Sequence, residues 1–140
     1  MASRTQKYPE TTTFHFYNAN VKNRLTCDCV FRAICTALDQ SWQDTVMEMA
    51  QLSCETGYAI TGDKCIDKYL EKKGWIKNKQ PRKKDNTKYT GKEFCRKLAD
   101  KKQVYIANIG GHHIVAIVNG KVNDTWDSTD GCIGNYWTKG

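Results

Sequence analysis

The chain has 140 residues, 39% hydrophobic, 26% charged and 11% aromatic, with only two prolines, a usage that excludes a disordered, collagenous or coiled-coil protein and fits one compact domain. Its net charge of +7 is concentrated: Lys72 to Lys102 holds thirteen Lys or Arg against three acids, a balance of +10 that leaves −3 for the other residues. No apolar run approaches the length of a membrane span, and the opening MASRTQKYPETTT lacks the apolar core of a secretory signal, so a soluble cytoplasmic protein with no membrane partner is expected.

Seven cysteines, at 27, 29, 35, 54, 65, 95 and 132, are an odd number and too sparse for a disulfide scaffold. Free thiols in a reducing compartment follow. Cys35, Cys54, Cys65 and Cys95 lie in apolar periodic stretches and are expected to pack as small hydrophobes. No C-x-x-C pair exists, and Cys27 and Cys29 are badly spaced for structural zinc, so neither a metal nor another cofactor is expected.

In chain order, residues 1–12 read as a flexible polar arm, followed by a single domain over 13–140. Thr13 to Tyr17 alternates like a short strand, and Asn18 to Thr26 is a polar loop with three asparagines. Asp28 is placed to cap a helix from Cys29 to Leu38, with Val30, Ala33, Ile34, Ala37 and Leu38 on one face. Ser41-Trp42-Gln43-Asp44 announces a second helix, with Val46, Met49, Ala50 and Leu52 inward and Gly57 as its stop. A third starts at Thr61-Gly62-Asp63, buries Cys65, Ile66, Tyr69 and Leu70, and ends at Gly74. Trp75-Ile76 is a brief extended piece before the basic loop. Thr90-Gly91-Lys92-Glu93 is a capping box that opens a short helix with Phe94, Cys95 and Leu98 inward.

The period then changes from helical to extended. Val104 to Ile109 reads as a strand ended by Gly110-Gly111. His112 to Val118 and Lys121 to Trp126 flank Asn119-Gly120, the strongest short hairpin signal, and Tyr136-Trp137 adds an edge strand. With helices first and strands after, the class is α+β.

A cysteine in the first turn of a helix has its thiolate favoured by free amides and the helix dipole, which singles out Cys29. Counting outward from Asn119-Gly120 pairs Val118 with Lys121 and puts His113 and Asp124 on one face as diagonal neighbours, within reach of each other's side chains. An imidazole oriented by a carboxylate is the base that a thiol nucleophile needs. His112 and Asp127 form the alternative pair on the opposite face. His113 is preferred because Val115 and Ile117 share its face, which is expected to pack on the Cys29 helix. His15 has no partner in this pattern and is read as structural.

The order Cys, His at a strand start and acid in the next strand resembles the papain-like cysteine peptidase superfamily. Asn23 to Cys29 is similar to the start of bacteriocin-processing peptidases, which carry Gln six residues before the cysteine of a D-C pair. That Gln helps form the oxyanion hole, a role the resemblance gives here to Asn23 with its shorter amide. Asp28-Cys29-Val30-Phe31-Arg32-Ala33-Ile34 and the later His113 to Gly120 and Asp124-Thr125-Trp126-Asp127 resemble, closer still, small uncharacterised phage and bacterial papain-like proteins. Asp124-Thr125-Trp126 is similar to the Asn-Ser-Trp of papain, where Asn orients the histidine and Trp shields the bond. The resemblance implies a papain-like fold, a helical N-terminal half packed by its nucleophile helix on a C-terminal antiparallel sheet. It also implies a Cys29–His113–Asp124 triad, acyl transfer on a protein or peptide substrate, and the cytoplasm of a bacterial or phage-infected cell.

The first functional expectation is therefore a peptidase, isopeptidase or amidase. The alternative is an inactive scaffold that binds a host protein, with an acidic partner at residues 72–102. Nucleic acid is the least favoured partner, because that segment is Lys-rich and offers only Tyr89 and Phe94 for stacking. The cleft walls are expected from the Asn18 to Thr26 and Asp127 to Asn135 loops.

Overall fold

Three amphipathic helices and a sheet that is apolar on both faces set the architecture, which the computed structural model describes for residues 3–140. The elements are α1 (Arg4–Lys7), β1 (Phe14–Phe16), α2 (Cys29–Leu38), α3 (Trp42–Thr56), α4 (Asp63–Lys72), β2 (Trp75–Asn78), α5 (Gly91–Glu93), β3 (Tyr105–Ile109), β4 (His113–Val118), β5 (Lys121–Asp124) and β6 (Ile133–Lys139). A π-helical turn over Phe94–Leu98 continues α5.

Helix boundaries follow the capping chemistry. Ser41 Oγ accepts from Asp44 N at 3.0 Å, and Gly57 closes α3 at φ 75°, a left-handed conformation that glycine adopts without steric cost. The Thr90/Glu93 capping box forms as expected. Beyond it, the wide turn swings Leu98 outward to 42% exposure while Phe94 and Cys95 stay buried, correcting the inward placement of Leu98. Cys54 is likewise exposed, unlike buried Cys35, Cys65 and Cys95.

The six strands run in the order β1-β5-β4-β3-β6-β2. The hairpin register is the one counted from Asn119-Gly120, with Val118 opposite Lys121 and Ala116 opposite Asn123. Both turn residues have positive φ, as a two-residue primed turn requires. Two expectations are corrected. The sheet is mixed, because β1 runs parallel to β5. The Tyr136-Trp137 strand spans Ile133–Lys139 and lies inside the sheet, between β3 and β2.

One apolar cluster joins α2, α3 and α4 to the sheet through Ile34, Met49, Leu70, Ile106, Ile114 and Trp137. A second, on the opposite sheet face, joins Phe94 and Cys95 to Tyr105, Ile109, Val115, Ile117 and Val122. The Val115 and Ile117 face thus packs under the Phe94 turn and not on α2. Because both sheet faces are buried, alternation alone does not say which helix covers which face. Residues 4–7 of the expected loose arm form a helical turn, and Arg4 Nε donates to Thr125 O at 2.6 Å. Among the described residues, no helix is long and apolar enough to cross a membrane.

Candidate active site

Cys29 opens α2 and His113 opens β4, so helix and strand bring their first residues together. Asp28 does not cap α2: its backbone sits at φ −117° and ψ 24°, and its side chain makes no cap bond. The first-turn amides of a ten-residue helix are therefore left without a side-chain acceptor beside the Cys29 sulfur.

The Asp28 carboxylate is turned inward instead. Its Oδ2 accepts from Asn20 Nδ2 at 2.8 Å and from Trp42 Nε1 at 3.1 Å, and its Oδ1 from Arg32 Nε at 2.8 Å. Arg32, 8% exposed, donates its Nη1 to Asp124 Oδ1 at 3.0 Å. Asp124, at the end of β5 and fully buried, also accepts from Thr125 N at 2.7 Å, Ser128 Oγ at 3.1 Å and His113 Nε2 at 2.6 Å. An ionised carboxylate only accepts, so the proton of this last bond belongs to Nε2 and the other ring nitrogen, Nδ1, is left for Cys29.

The electrostatics follow from this chain. Burial pushes the Cys29 thiol up, but the His113 imidazole, the Ile114 backbone N–H and the charge of Arg32 outweigh it, and its pKa is lowered. Burial alone pushes His113 down, while the Asp124 carboxylate and the Cys29 sulfur raise it to about 9. Burial raises Asp124 as well, and the opposing pull of His113 and Arg32 leaves it lowered. The pair is thus favoured as thiolate and imidazolium. Burial pushes the Cys95 thiol up to about 12 and raises Cys35 and Cys65, so these three are poor nucleophiles.

Trp126 lies against His113 with ring centroids 5.1 Å apart. A cleft of about 280 Å³ lined by Ile109, Gly110, His113, Trp126 and Ser128 opens on that side. On the other, Val30, Ile114, Gly111 and His112 border a groove of about 780 Å³. Its far wall is built by Asp63, Ile66 and Asp67 of α4 with Lys77, Gln80 and Lys88 of the basic segment. The Asp127 to Asn135 loop contributes to both spaces, as expected; the Asn18 to Thr26 loop lines neither, and α4 stands in its place.

The structure brings together Cys29, His113 and Asp124. It does not assemble the alternative pair: His112 is exposed in the groove, and Asp127 accepts from Thr129 N at 3.0 Å. Asn23 sits on an exposed turn at φ 54°, and its Oδ1 accepts from Asn18 Nδ2 at 3.3 Å. His15 pairs with Glu10 at 2.8 Å, away from the site. Sequence reasoning missed Arg32, Asn20 and Ser128. The one available signal was Asp28 and Arg32 four apart, a spacing that places them on one helical face. Among the described residues, no three His, Cys, Asp or Glu side chains cluster as metal ligands. Comparison with known proteins finds no matching family model, no matching curated protein and no matching solved structure.

Proposed function

We propose that the protein is a cysteine hydrolase or acyltransferase of papain-like type, acting in the cytoplasm on amide bonds of a protein or peptide. The observation that carries this reading is the Cys29–His113–Asp124 arrangement at the meeting of a helix N-terminus and two adjacent strands, flanked by open clefts on both sides. Buried salt bridges occur for purely structural reasons. Here, however, the chain of charges ends on a half-exposed thiol whose ionisation it favours.

In this reading the Cys29 thiolate attacks the carbonyl carbon, and the C=O electron pair moves onto oxygen. The Cys29 N–H, on the open first turn of α2, stabilises that oxyanion. The oxyanion collapses, the C–N bond breaks, and protonated His113 gives its proton to the leaving amine. Water then attacks the thioester and loses a proton to His113, and the C–S bond breaks to regenerate the thiolate. Asp124 holds the imidazole tautomer throughout. Asn23, bonded within its own loop, is the resemblance's second oxyanion donor, and Asn23→Ala tests it: a fall in turnover without loss of thiol reactivity supports the role.

The reading is tested by timing the alkylation of each of the seven thiols by iodoacetamide from pH 5 to 9, with sites resolved by mass spectrometry. Cys29 is expected to label first below pH 7, ahead of the exposed Cys27, Cys54 and Cys132, and His113→Ala is expected to slow it. Labelling of Cys29 no faster than the other exposed thiols overturns the reading and leaves a binding scaffold in its place.

A further inference from the structure

We infer that Arg32 is a positioning residue for the Cys29–His113 pair, acting through Asp124 as the shared cation of a buried Asp28–Arg32–Asp124 triplet. The inference rests on the cysteine-hydrolase reading and adds to it a residue that touches neither reacting atom. A guanidinium removed from water is tolerated only when its charge is answered, and here two of its donors meet carboxylates. Nε meets Asp28 at 2.8 Å and Nη1 meets Asp124 at 3.0 Å. The fork is rigid and planar, so fixing one donor on Asp28 fixes the direction of the other. Asp28 is in turn anchored by Asn20 from the preceding loop and Trp42 from α3.

The geometric consequence falls on Asp124. Arg32 and Thr125 N occupy Oδ1, which turns Oδ2 towards Ser128 and His113. The electrostatic consequence falls on the nucleophile. The titratable groups around Arg32 are Asp28, Cys29 and Cys35 along α2 and Asp124 of β5, which in turn holds His113 of β4. Without a cation between them, two buried carboxylates would confront the sulfur and favour its neutral form. With Arg32 in place, the charges from Asp28 to the sulfur alternate in sign. A guanidinium that only tied α2 to β5 would serve the fold without moving the ionisation of Cys29.

The test is the pH dependence of Cys29 alkylation in wild type, Arg32→Met, Arg32→Lys and Asp28→Asn/Arg32→Met. Leu52→Ala, in the helical core away from the site, controls for lost stability. Arg32→Met is expected to move the acid limb up by about half to one pH unit, a roughly three- to tenfold loss of rate at any pH on that limb. Arg32→Lys, which keeps the charge but not the fork, is expected to fall between it and wild type. The double variant has no orphaned Asp28 carboxylate and decides between the outcomes should Arg32→Met not fold; a smaller upward movement is expected of it, because Asp124 alone is then uncompensated. Leu52→Ala is expected to lower Tm without moving the limb. Folded Arg32 variants with the wild-type limb overturn the inference while leaving the hydrolase reading intact. A wild-type Cys29 with no early acid limb overturns the hydrolase reading itself.

Discussion

His113 Nε2 lies 2.6 Å from Asp124 Oδ2, and Asp124 has three further donors, from Thr125, Ser128 and Arg32. A carboxylate offers about four lone-pair positions, so this one is saturated and cannot swing away from the imidazole. The ring is thereby held with its other nitrogen towards Cys29, before any substrate arrives.

The pH dependence of turnover is expected to be a bell. On the acid side, activity rises as the Cys29 thiolate forms at its lowered pKa, below the ordinary thiol value of 9.0. On the alkaline side, it falls as His113 loses its proton near pH 9, removing the acid that protonates the leaving amine. Initial rates on a peptide amide between pH 5 and 10 check both limbs. An alkaline limb near pH 6.5 would show that His113 is not held as the imidazolium.

Asp124→Asn is expected to bring that alkaline limb down towards the ordinary histidine range, because the charge that raises His113 is gone. Turnover is expected to fall about 10²- to 10⁴-fold, as when a histidine loses its orienting acid. Kinetics at several pH values separate this from a uniform loss, which a merely misfolded variant would give.

Stability carries the same sign. The folded pKa of His113, about 9, exceeds its ordinary value of 6.5. Its contribution is therefore complete below pH 6.5 and disappears as pH rises through 9. The Tm gap between wild type and His113→Ala is expected to shrink over that window, corresponding to about 1–3 kcal/mol at its low-pH end. Thermal melts at pH 6 and 9.5 measure it.

Trp126→Ala is expected to cost turnover about tenfold and stability about 1–3 kcal/mol. The indole is 39% exposed, so the larger part of its apolar area is buried and lost in the variant, and its ring lies against His113 at 5.1 Å, where it limits water at the Asp124 bond. Unchanged turnover in the folded variant would mean that the indole shields nothing.

Gly91→Ala tests the bracing of the loop behind the site. A Cβ there would stand 2.8 Å from Ile109 Cδ1 and 3.0 Å from the Thr129 Cα. One of these must shift, at a cost of about 1–3 kcal/mol, and denaturant unfolding is expected to register it. Gly91 N also donates to Gly131 O at 2.9 Å, so slower Cys29 alkylation is expected to accompany the loss.

The α3 boundaries, the hairpin register and the meeting of His113 with Asp124 were legible because capping, turn chemistry and strand alternation are local. The physical ground for preferring His113 over His112 is different from the one that alternation suggests: the face of Val115 and Ile117 packs on Phe94, and His113 reaches Cys29 from the end of its strand. The unbroken apolar runs Tyr105-Ile106-Ala107 and Ile114-Val115-Ala116-Ile117 carried that information, since a strand covered on both faces loses its polar alternation. Arg32 was hidden because it lies off the apolar stripe of α2, where an arginine is ordinarily solvated. Only the tertiary placement of β5 supplies its second carboxylate. Asp28 looked like a cap for the same reason: its true partners, Asn20, Arg32 and Trp42, come from three different segments.

The Asp28–Arg32 pair also sets reactivity against heat tolerance. Replacing a buried ion pair by apolar residues of similar volume is often neutral or stabilising, by roughly 1–4 kcal/mol. A population selected only for survival at high temperature has reason to discard both side chains, and each such step would leave Asp124 less firmly aimed at His113. Variants that melt later and label more slowly at Cys29 are the signature expected of that exchange.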